Sequence, residues 1–180
     1  MNRTVQRDYD WALKMQRFAI PIYETIWPKS RIIELDKNLR DELSHTLDVG
    51  GADKMIRFAD GGLAFLAQRF RRWDARKWDD FTLRKDRLNG YSTELQKGRL
   101  ALERHGFVAG FYSYGLANET DSGFARLRIL RYPELLSAIV EGKIRTQTHS
   151  NTNGSSNFIA IPFSLIPRNY FLFESVEDKP

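Results

Sequence analysis

The sequence predicts a single α/β domain, in which helices flank a mixed central sheet. Apolar residues recur every three or four positions over residues 11–47, which is typical of amphipathic helices. A hairpin pattern follows over residues 53–72, and helical and strand patterns then alternate up to residue 173. No internal repeat or long low-complexity segment divides the 180 residues. We therefore expect one domain over residues 1–180, with an N-terminal helical segment at about residues 1–47.

Two helices are expected in the N-terminal segment. The first ends before Pro28 and is expected to kink at Pro21. Its apolar stripe consists of Trp11, Met15, Phe18, Ile22 and Ile26. The second helix is expected to begin after Ser30, which is placed as its N-cap. Its stripe consists of Ile32, Leu35, Leu39, Leu43 and Leu47.

The period changes after residue 48, where strands are expected. Residues 53–59 and 63–72 form a predicted hairpin around the turn Asp60-Gly61-Gly62, and residues 80–84 form a short strand. Thr93 and Gln96 make a capping box, which predicts a helix up to His105. Residues 107–114 are expected to form a buried central strand, and residues 125–131 an edge or half-exposed strand. A helix from Pro133 to residue 140, a polar loop over 146–156 and strands at 158–163 and 170–173 complete the prediction.

The positive charge is concentrated in one part of the chain. The sequence holds 28 Lys and Arg against 23 Asp and Glu, a formal net charge of +5. Residues 65–105, called the basic strip below, hold eleven bases and six acids and so account for the whole excess. Trp73, Trp78, Phe81 and Tyr91 lie between these charges. This pattern indicates a polyanion partner, and the alternative is a solvated face whose aromatic residues point into the core.

Composition excludes several classes of protein and site. Without cysteine, the chain has no disulfide scaffold, thiol nucleophile or cysteine-based metal site. A mean hydropathy of -0.49 and the lack of a long apolar run exclude a membrane span, and no signal sequence is recognisable, so we expect a cytoplasmic protein. Phosphate-binding loops, dinucleotide fingerprints and nucleophile elbows are absent, and the three histidines lie far apart. Carboxylates with nearby Lys or Arg remain as the available chemistry.

The most informative segment is GGADKMIRFADGGLAFLAQRFRRW, residues 50–73. It resembles the catalytic hairpin of the PD-(D/E)XK nucleases, the restriction-endonuclease-like superfamily, in which an Asp opens the second core strand. The third strand of those proteins carries an acid or Gln two residues before a Lys. Gly51-Ala52-Asp53 fits the first feature, and Ala67-Gln68-Arg69-Phe70-Arg71 is similar to a Gln-Glu-Arg-Phe-Arg run. Residues 80–84, 92–101, 106–115 and 151–167 are also similar, so the resemblance spans roughly residues 30–170.

This resemblance implies a restriction-endonuclease-like domain with an αβββαβ core and a metal-dependent DNA endonuclease that hydrolyses phosphodiester bonds. Mg²⁺, or Mn²⁺, would be the cofactor. Asp53 would bind the metal, and Arg69 in the lysine position would contact the scissile phosphate through its charge. Ala67 stands in the acid position and offers only its backbone carbonyl. The second acid would be Glu34 or Asp48, and the further candidates are Glu42 and Glu94.

Nucleic-acid contacts are expected mainly from the basic strip. Phosphate contacts from such residues set affinity and its salt dependence. They would come from Arg71, Arg72, Arg76, Lys77, Arg84, Lys85 and Arg87. The polar loop at 146–156 would either read bases or remain in solvent. DNA is the expected partner, RNA is not excluded, and a homodimer would supply two sites for double-strand cleavage.

Two other functions fit the same sequence. Loss of the acid at Ala67 favours a catalytically silent nucleic-acid-binding module on the same fold. A basic face that meets an acidic protein favours an interaction subunit.

Overall fold

The computed structural model describes residues 3–35, 47, 50–87, 92–104, 106–151, 154 and 156–176. These residues form a mixed α/β fold, as the sequence predicts. Its α-helices are α1 (Arg3–Ile26), α2 (Glu94–Glu103) and α3 (Tyr132–Val140). Its strands are β1 (Arg31–Glu34), β2 (Lys54–Arg57), β3 (Leu63–Arg71), β4 (Asp80–Arg87), β5 (Phe111–Ala117), β6 (Phe124–Arg131), β7 (Gln147–Ser150), β8 (Ser156–Pro162) and β9 (Phe171–Val176). None of the described helices is long and apolar enough to cross a membrane.

The strands form two sheets, whereas the sequence predicted one. The larger sheet has the order β1-β2-β3-β5-β6-β9, and the smaller one has the order β4-β8-β7. All neighbours are antiparallel except β3 and β5, which are parallel. β4 follows β3 along the chain but pairs with β8, and its Phe81 and Leu83 are fully buried. Pairing with β8 lets β4 place these two side chains in a core that the larger sheet shares.

Packed layers cover both faces of the larger sheet. On one face, Ala19 and Tyr23 of α1 pack against Ile56 and Leu66. The other face contributes to the main core, which includes Phe81, Leu83, Tyr112, Leu135, Leu136 and Ile161. Because successive side chains of a strand point to opposite faces, each strand of this sheet has an α1 face and a main-core face.

The N-terminal prediction is confirmed for α1 and wrong for the segment that follows it. α1 continues through Pro21 and buries Met15 completely. Residues 31–34, predicted as the start of a second helix, form β1, which pairs with β2 so that Ile32 faces Ile56. The Ser30 hydroxyl donates to the Trp27 carbonyl at 2.7 Å, so Ser30 closes the end of α1 and does not cap a new helix. The rest of the predicted second helix, apart from Leu35 and Leu47, lies outside the described residues.

Two further predictions are corrected by strand pairing. The expected polar loop contains β7, whose four exposed residues pair with β8, because an edge strand can satisfy its backbone while its polar side chains stay in water. The strand at 125–131, expected to be an edge or half-exposed strand, is β6, which lies between β5 and β9 and is mostly buried. The predicted hairpin, the helices at α2 and α3, and the strands at β4, β8 and β9 are confirmed, while the central strand begins later than predicted, at Phe111.

Gly98 allows α2 to pack closely against α3. A Cβ atom at this position would lie 2.7 Å from Cδ2 and 3.2 Å from Cδ1 of Leu136. Leu136 is fully buried, so it has little room to move away. The distance between α2 and the main core therefore depends on the absence of a side chain at Gly98.

We expect Gly98→Val to destabilise the fold by about 1–3 kcal/mol, because a branched side chain would overpack the contact with Leu136. The free energy of unfolding in urea measures this. Arg99→Val is the matched control, since it introduces the same side chain at the next helical position, where the Arg99 side chain is 61% exposed. Equal losses in the two variants would contradict the packing role of Gly98.

Candidate active site

A pocket of about 250 Å³ opens between the start of β2, the middle of β3 and the first turn of α2. Its lining includes the acids Asp53 and Glu94 and the bases Arg87 and Lys97. Ala67, Tyr112 and Tyr132 also line it. The start of β2, the end of β4 and the beginning of α2 thus bring carboxylates and cations to one cavity.

Backbone hydrogen bonds fix the position of Asp53. Its N–H donates to the Leu66 carbonyl at 2.9 Å, and its Oδ2 accepts the Gln68 N–H at 2.6 Å. Lys54 pairs with Leu66, so Asp53 lies one residue further along, opposite Ala67. Gly51 has a φ of 76°, a left-handed conformation that favours glycine, and it turns the chain into β2. The hairpin therefore holds the Asp53 carboxylate at the pocket.

The strand position predicted for a second acid supplies no carboxylate. Ala67 is 4% exposed and belongs to the main core, so its side chain adds only apolar surface. The neighbouring Gln68 donates from Nε2 to the Tyr23 hydroxyl of α1 at 2.7 Å. That hydroxyl donates to Ser113 Oγ at 2.7 Å, and burial raises the pKa of Tyr23. The Gln68 amide thus belongs to the α1 face and does not replace the missing acid.

Glu94 of α2 brings a second carboxylate to the pocket. Its Oε2 accepts the Arg84 N–H at 2.7 Å and lies 3.5 Å from Arg69 Nη1. Arg69 also donates from Nη1 to the Thr82 carbonyl at 3.3 Å. Glu94 therefore connects α2 to β4 and to the arginine that stands in the lysine position of the hairpin.

The start of α2 is anchored by its capping residues, as the sequence predicted. The Thr93 N–H donates to Gln96 Oε1 at 3.0 Å, and the Thr93 hydroxyl donates to the Lys85 carbonyl at 2.8 Å. The first bond closes the start of α2, and the second attaches it to β4. Glu94 and Lys97 are three residues apart, so they lie on the same side of the helix, toward the pocket.

The aromatic hydroxyls at the pocket remain protonated. Burial raises the pKa of Tyr112 well above its ordinary value, although the charge of Arg69 acts in the opposite direction. Burial likewise raises the pKa of Tyr132. Both phenols are therefore neutral near pH 7 and are unsuited to act as bases.

The other predicted acids lie elsewhere or outside the described residues. The Glu34 side chain is 62% exposed and pairs with Lys54 Nζ at 3.1 Å, and Glu34 does not line the pocket. Asp48 and Glu42 fall outside the described residues. From the sequence, Glu94 was only a further candidate for the second acid, after Glu34 and Asp48. Lys97 was not among the candidates. Their spacing directly after a capping box was the available signal.

The structure divides the predicted nucleic-acid-binding residues into two groups. Arg84, Lys85 and Arg87 lie on β4 near α2, and Arg87 lines the pocket. The second group begins at the end of β3, where Arg71 pairs with Asp80 at 2.6 Å and Arg72 pairs with Asp8 at 2.9 Å. This group ends with the exposed Arg76 and Lys77.

The donor chemistry of the pocket fits a hard divalent cation. Within the described part of the chain, no group of three or more His, Asp or Glu side chains is arranged to hold a metal. Mg²⁺ does not require such a group, because it commonly binds one or two carboxylates and keeps water or substrate phosphate as its other ligands. Asp53 and Glu94 provide two carboxylates at one cavity.

Comparisons with protein-family models, with curated proteins and with solved structures find no match to this chain.

Proposed function

We propose that this chain is a Mg²⁺- or Mn²⁺-dependent nuclease that hydrolyses phosphodiester bonds in DNA, with the Asp53 pocket as its active site. The observation that carries the proposal is the meeting of Asp53 and Glu94 with Arg87 and Lys97 in one cavity. A phosphodiester carries a negative charge, and in its hydrolysis water attacks the phosphorus atom. Its hydrolysis uses carboxylates to hold a metal and cations to bind the phosphate.

The order of the elements supports the same proposal. Apart from β4, the elements up to β5 have the αβββαβ order that the restriction-endonuclease-like resemblance implies: α1, β1, β2, β3, α2 and β5. In the larger sheet β1, β2, β3 and β5 are successive neighbours, and β3 and β5 are parallel. β4 is an addition between β3 and α2 that joins the smaller sheet.

Each pocket residue has a role that its chemistry allows. Asp53 and Glu94 would hold the cation, which when bound supplies an activated water and neutralises charge on the phosphate. Arg87 lines the pocket, and Arg69 does not line it but lies 3.5 Å from Glu94. Both would bind phosphate oxygens as permanent cations, because guanidinium groups do not give up a proton near neutral pH. Lys97 adds a compact ammonium group on the α2 side.

A catalytically silent nucleic-acid-binding module is the second candidate. Two observations favour it: Ala67 replaces the acid of the strand, and the Glu94 carboxylate already accepts a hydrogen bond from Arg84 and lies beside Arg69. Such a module would bind DNA in a salt-dependent manner without cleaving it.

Cleavage assays with and without metal distinguish the two candidates. We expect the purified protein to cut plasmid or single-stranded DNA in Mg²⁺ or Mn²⁺ and to stop cutting in excess EDTA. Gel electrophoresis of the products is the measurement. The Asp53→Asn protein, purified in parallel, controls for contaminating nucleases. DNA binding without cleavage in any of these metals would reject the nuclease and support the silent module.

A further inference from the structure

Trp78 is a half-exposed aromatic side chain with two cations close to its ring. It lies between the short 3-10 helix at Trp73–Ala75 and the start of β4, and 50% of its surface is exposed. Lys77 Nζ lies 4.2 Å from the centroid of the Trp78 ring, and the guanidinium carbon of Arg71 lies 5.8 Å from it. An indole in this setting presents both an apolar face and positive charge to a ligand.

The fold accounts for the neighbouring aromatic residues but not for Trp78. Trp73 packs against the small cluster formed by Ala75, Leu116 and Ala125. Phe81 is fully buried in the main core. Three described aromatic residues follow β3 in the basic strip. Of these, Trp78 alone belongs to no hydrophobic cluster of the described residues.

We propose that Trp78 is a stacking platform for an unpaired base, so that the nucleic acid bound by this protein is single-stranded at this point. Bases of an intact duplex are stacked on one another, whereas an unpaired base offers its face to an aromatic side chain. Lys77 and Arg76 are exposed beside the platform and suited to the adjoining phosphates. This inference rests on the proposed function for the kind of ligand, and it adds the strandedness of the substrate.

β4 connects this platform to the pocket. At one end, Asp80 Oδ1 lies 2.6 Å from Arg71 Nη1, next to Trp78. Further along the strand, the Arg84 N–H donates to Glu94 at the pocket. The four residue-to-residue steps from Asp80 to Arg84 span roughly 13 Å of extended strand. A single strand that crosses this distance over the surface would therefore reach Trp78 and the pocket together.

Binding measured in EDTA tests the platform without cleavage. The probes are a short fluorescein-labelled oligothymidine and a labelled duplex, and fluorescence anisotropy gives the dissociation constants. We expect Trp78→Ala to weaken binding of the single strand about five- to a hundredfold, as loss of one stacked base does. Trp78→Phe retains an aromatic face and should recover most of the affinity. Leu63→Ala is the control. Leu63 is also exposed, at 56%, but it lies at the start of β3, whereas Arg71 beside Trp78 lies at the end of that strand.

Several results would overturn the platform: equal weakening of duplex and single-strand binding by Trp78→Ala, no recovery with Trp78→Phe, or no single-strand binding by the unmodified protein. The last of these would indicate that the surface meets an acidic protein. The two proposals can fail separately. Trp78-dependent binding in a protein that never cleaves would support the platform and reject the nuclease. Metal-dependent cleavage with unchanged binding in Trp78→Ala would reject only the platform.

Discussion

Replacing Asp53 by Asn is expected to reduce DNA cleavage by more than about a hundredfold. Loss of a residue that merely orients a metal ligand typically costs ten- to a hundredfold, and loss of the ligand's charge should cost more. Asn keeps an oxygen that can accept the Gln68 N–H, so the hairpin should remain folded. Initial cleavage rates in Mg²⁺ and unfolding curves of the same samples measure the two effects.

Asp60→Asn is the matched control for this experiment. Asp60 lies in the turn of the same hairpin, and its Oδ1 accepts the Gly62 N–H at 2.9 Å, much as Asp53 accepts the Gln68 N–H. Asp60 is exposed and does not line the pocket. We expect full activity in this variant. Undiminished cleavage by Asp53→Asn would place the reaction outside the pocket.

The hairpin could be predicted because its signals are local. The turn Asp60-Gly61-Gly62 and the alternation beside it define β2, β3 and the position of Asp53 within a short segment. Strand alternation predicts that Gln68 lies on the opposite face of β3 from Arg69, and the hydrogen bond from Gln68 to Tyr23 of α1 agrees with this. Alternation with a period of two is thus sufficient to predict which face of a strand each side chain occupies, when a turn marks one end of the strand.

Pairing between distant segments could not be read from local pattern. Residues 31–34 fit a helical stripe equally well, and only their pairing with β2 makes them a strand. The neighbours of β6 and the departure of β4 to a second sheet likewise depend on partners far away in the sequence. The same holds for the pocket, because Glu94 and Lys97 reach Asp53 only once α2 is attached to β4 through Thr93.

Arg128 is a buried arginine that joins the two sheets through ion pairs with partly exposed acids. It lies on β6 and is 6% exposed. Its Nη1 lies 2.7 Å from Asp79, which precedes β4 of the smaller sheet, and its Nε lies 2.6 Å from Glu174 of β9. Its guanidinium carbon is 4.0 Å from the centroid of the Phe163 ring. The alternation of Arg with apolar residues in β6 suggested exposure, but these partners allow the charge to be buried.

Arg128→Met should lower the free energy of unfolding by about 1.5–3 kcal/mol, because it removes the hydrogen bonds that the buried guanidinium donates to the carboxylates of Asp79 and Glu174. Urea unfolding monitored by fluorescence measures the loss. Arg126→Met is the matched control, since Arg126 lies on the same strand and pairs with the same Asp79 at 3.0 Å, but its side chain is more exposed. We expect that control to lose less than about 1 kcal/mol. Equal losses would show that burial of Arg128 is not the cause.

The same ion pairs should make stability depend on pH. Burial works against the charged form of Glu174, but hydrogen bonds from Arg128 and Arg168 outweigh it and hold the pKa of Glu174 below its ordinary value. A carboxyl group with a lowered pKa stabilises the fold above its unfolded pKa, and this contribution is lost as the pH falls through the folded pKa. The protein should therefore lose stability below about pH 4, where a free Glu becomes protonated. In Arg128→Met this acid loss should shrink, because one of the two arginines that donate to the Glu174 carboxylate has been removed. An unchanged acid loss would assign the pH dependence to other carboxylates.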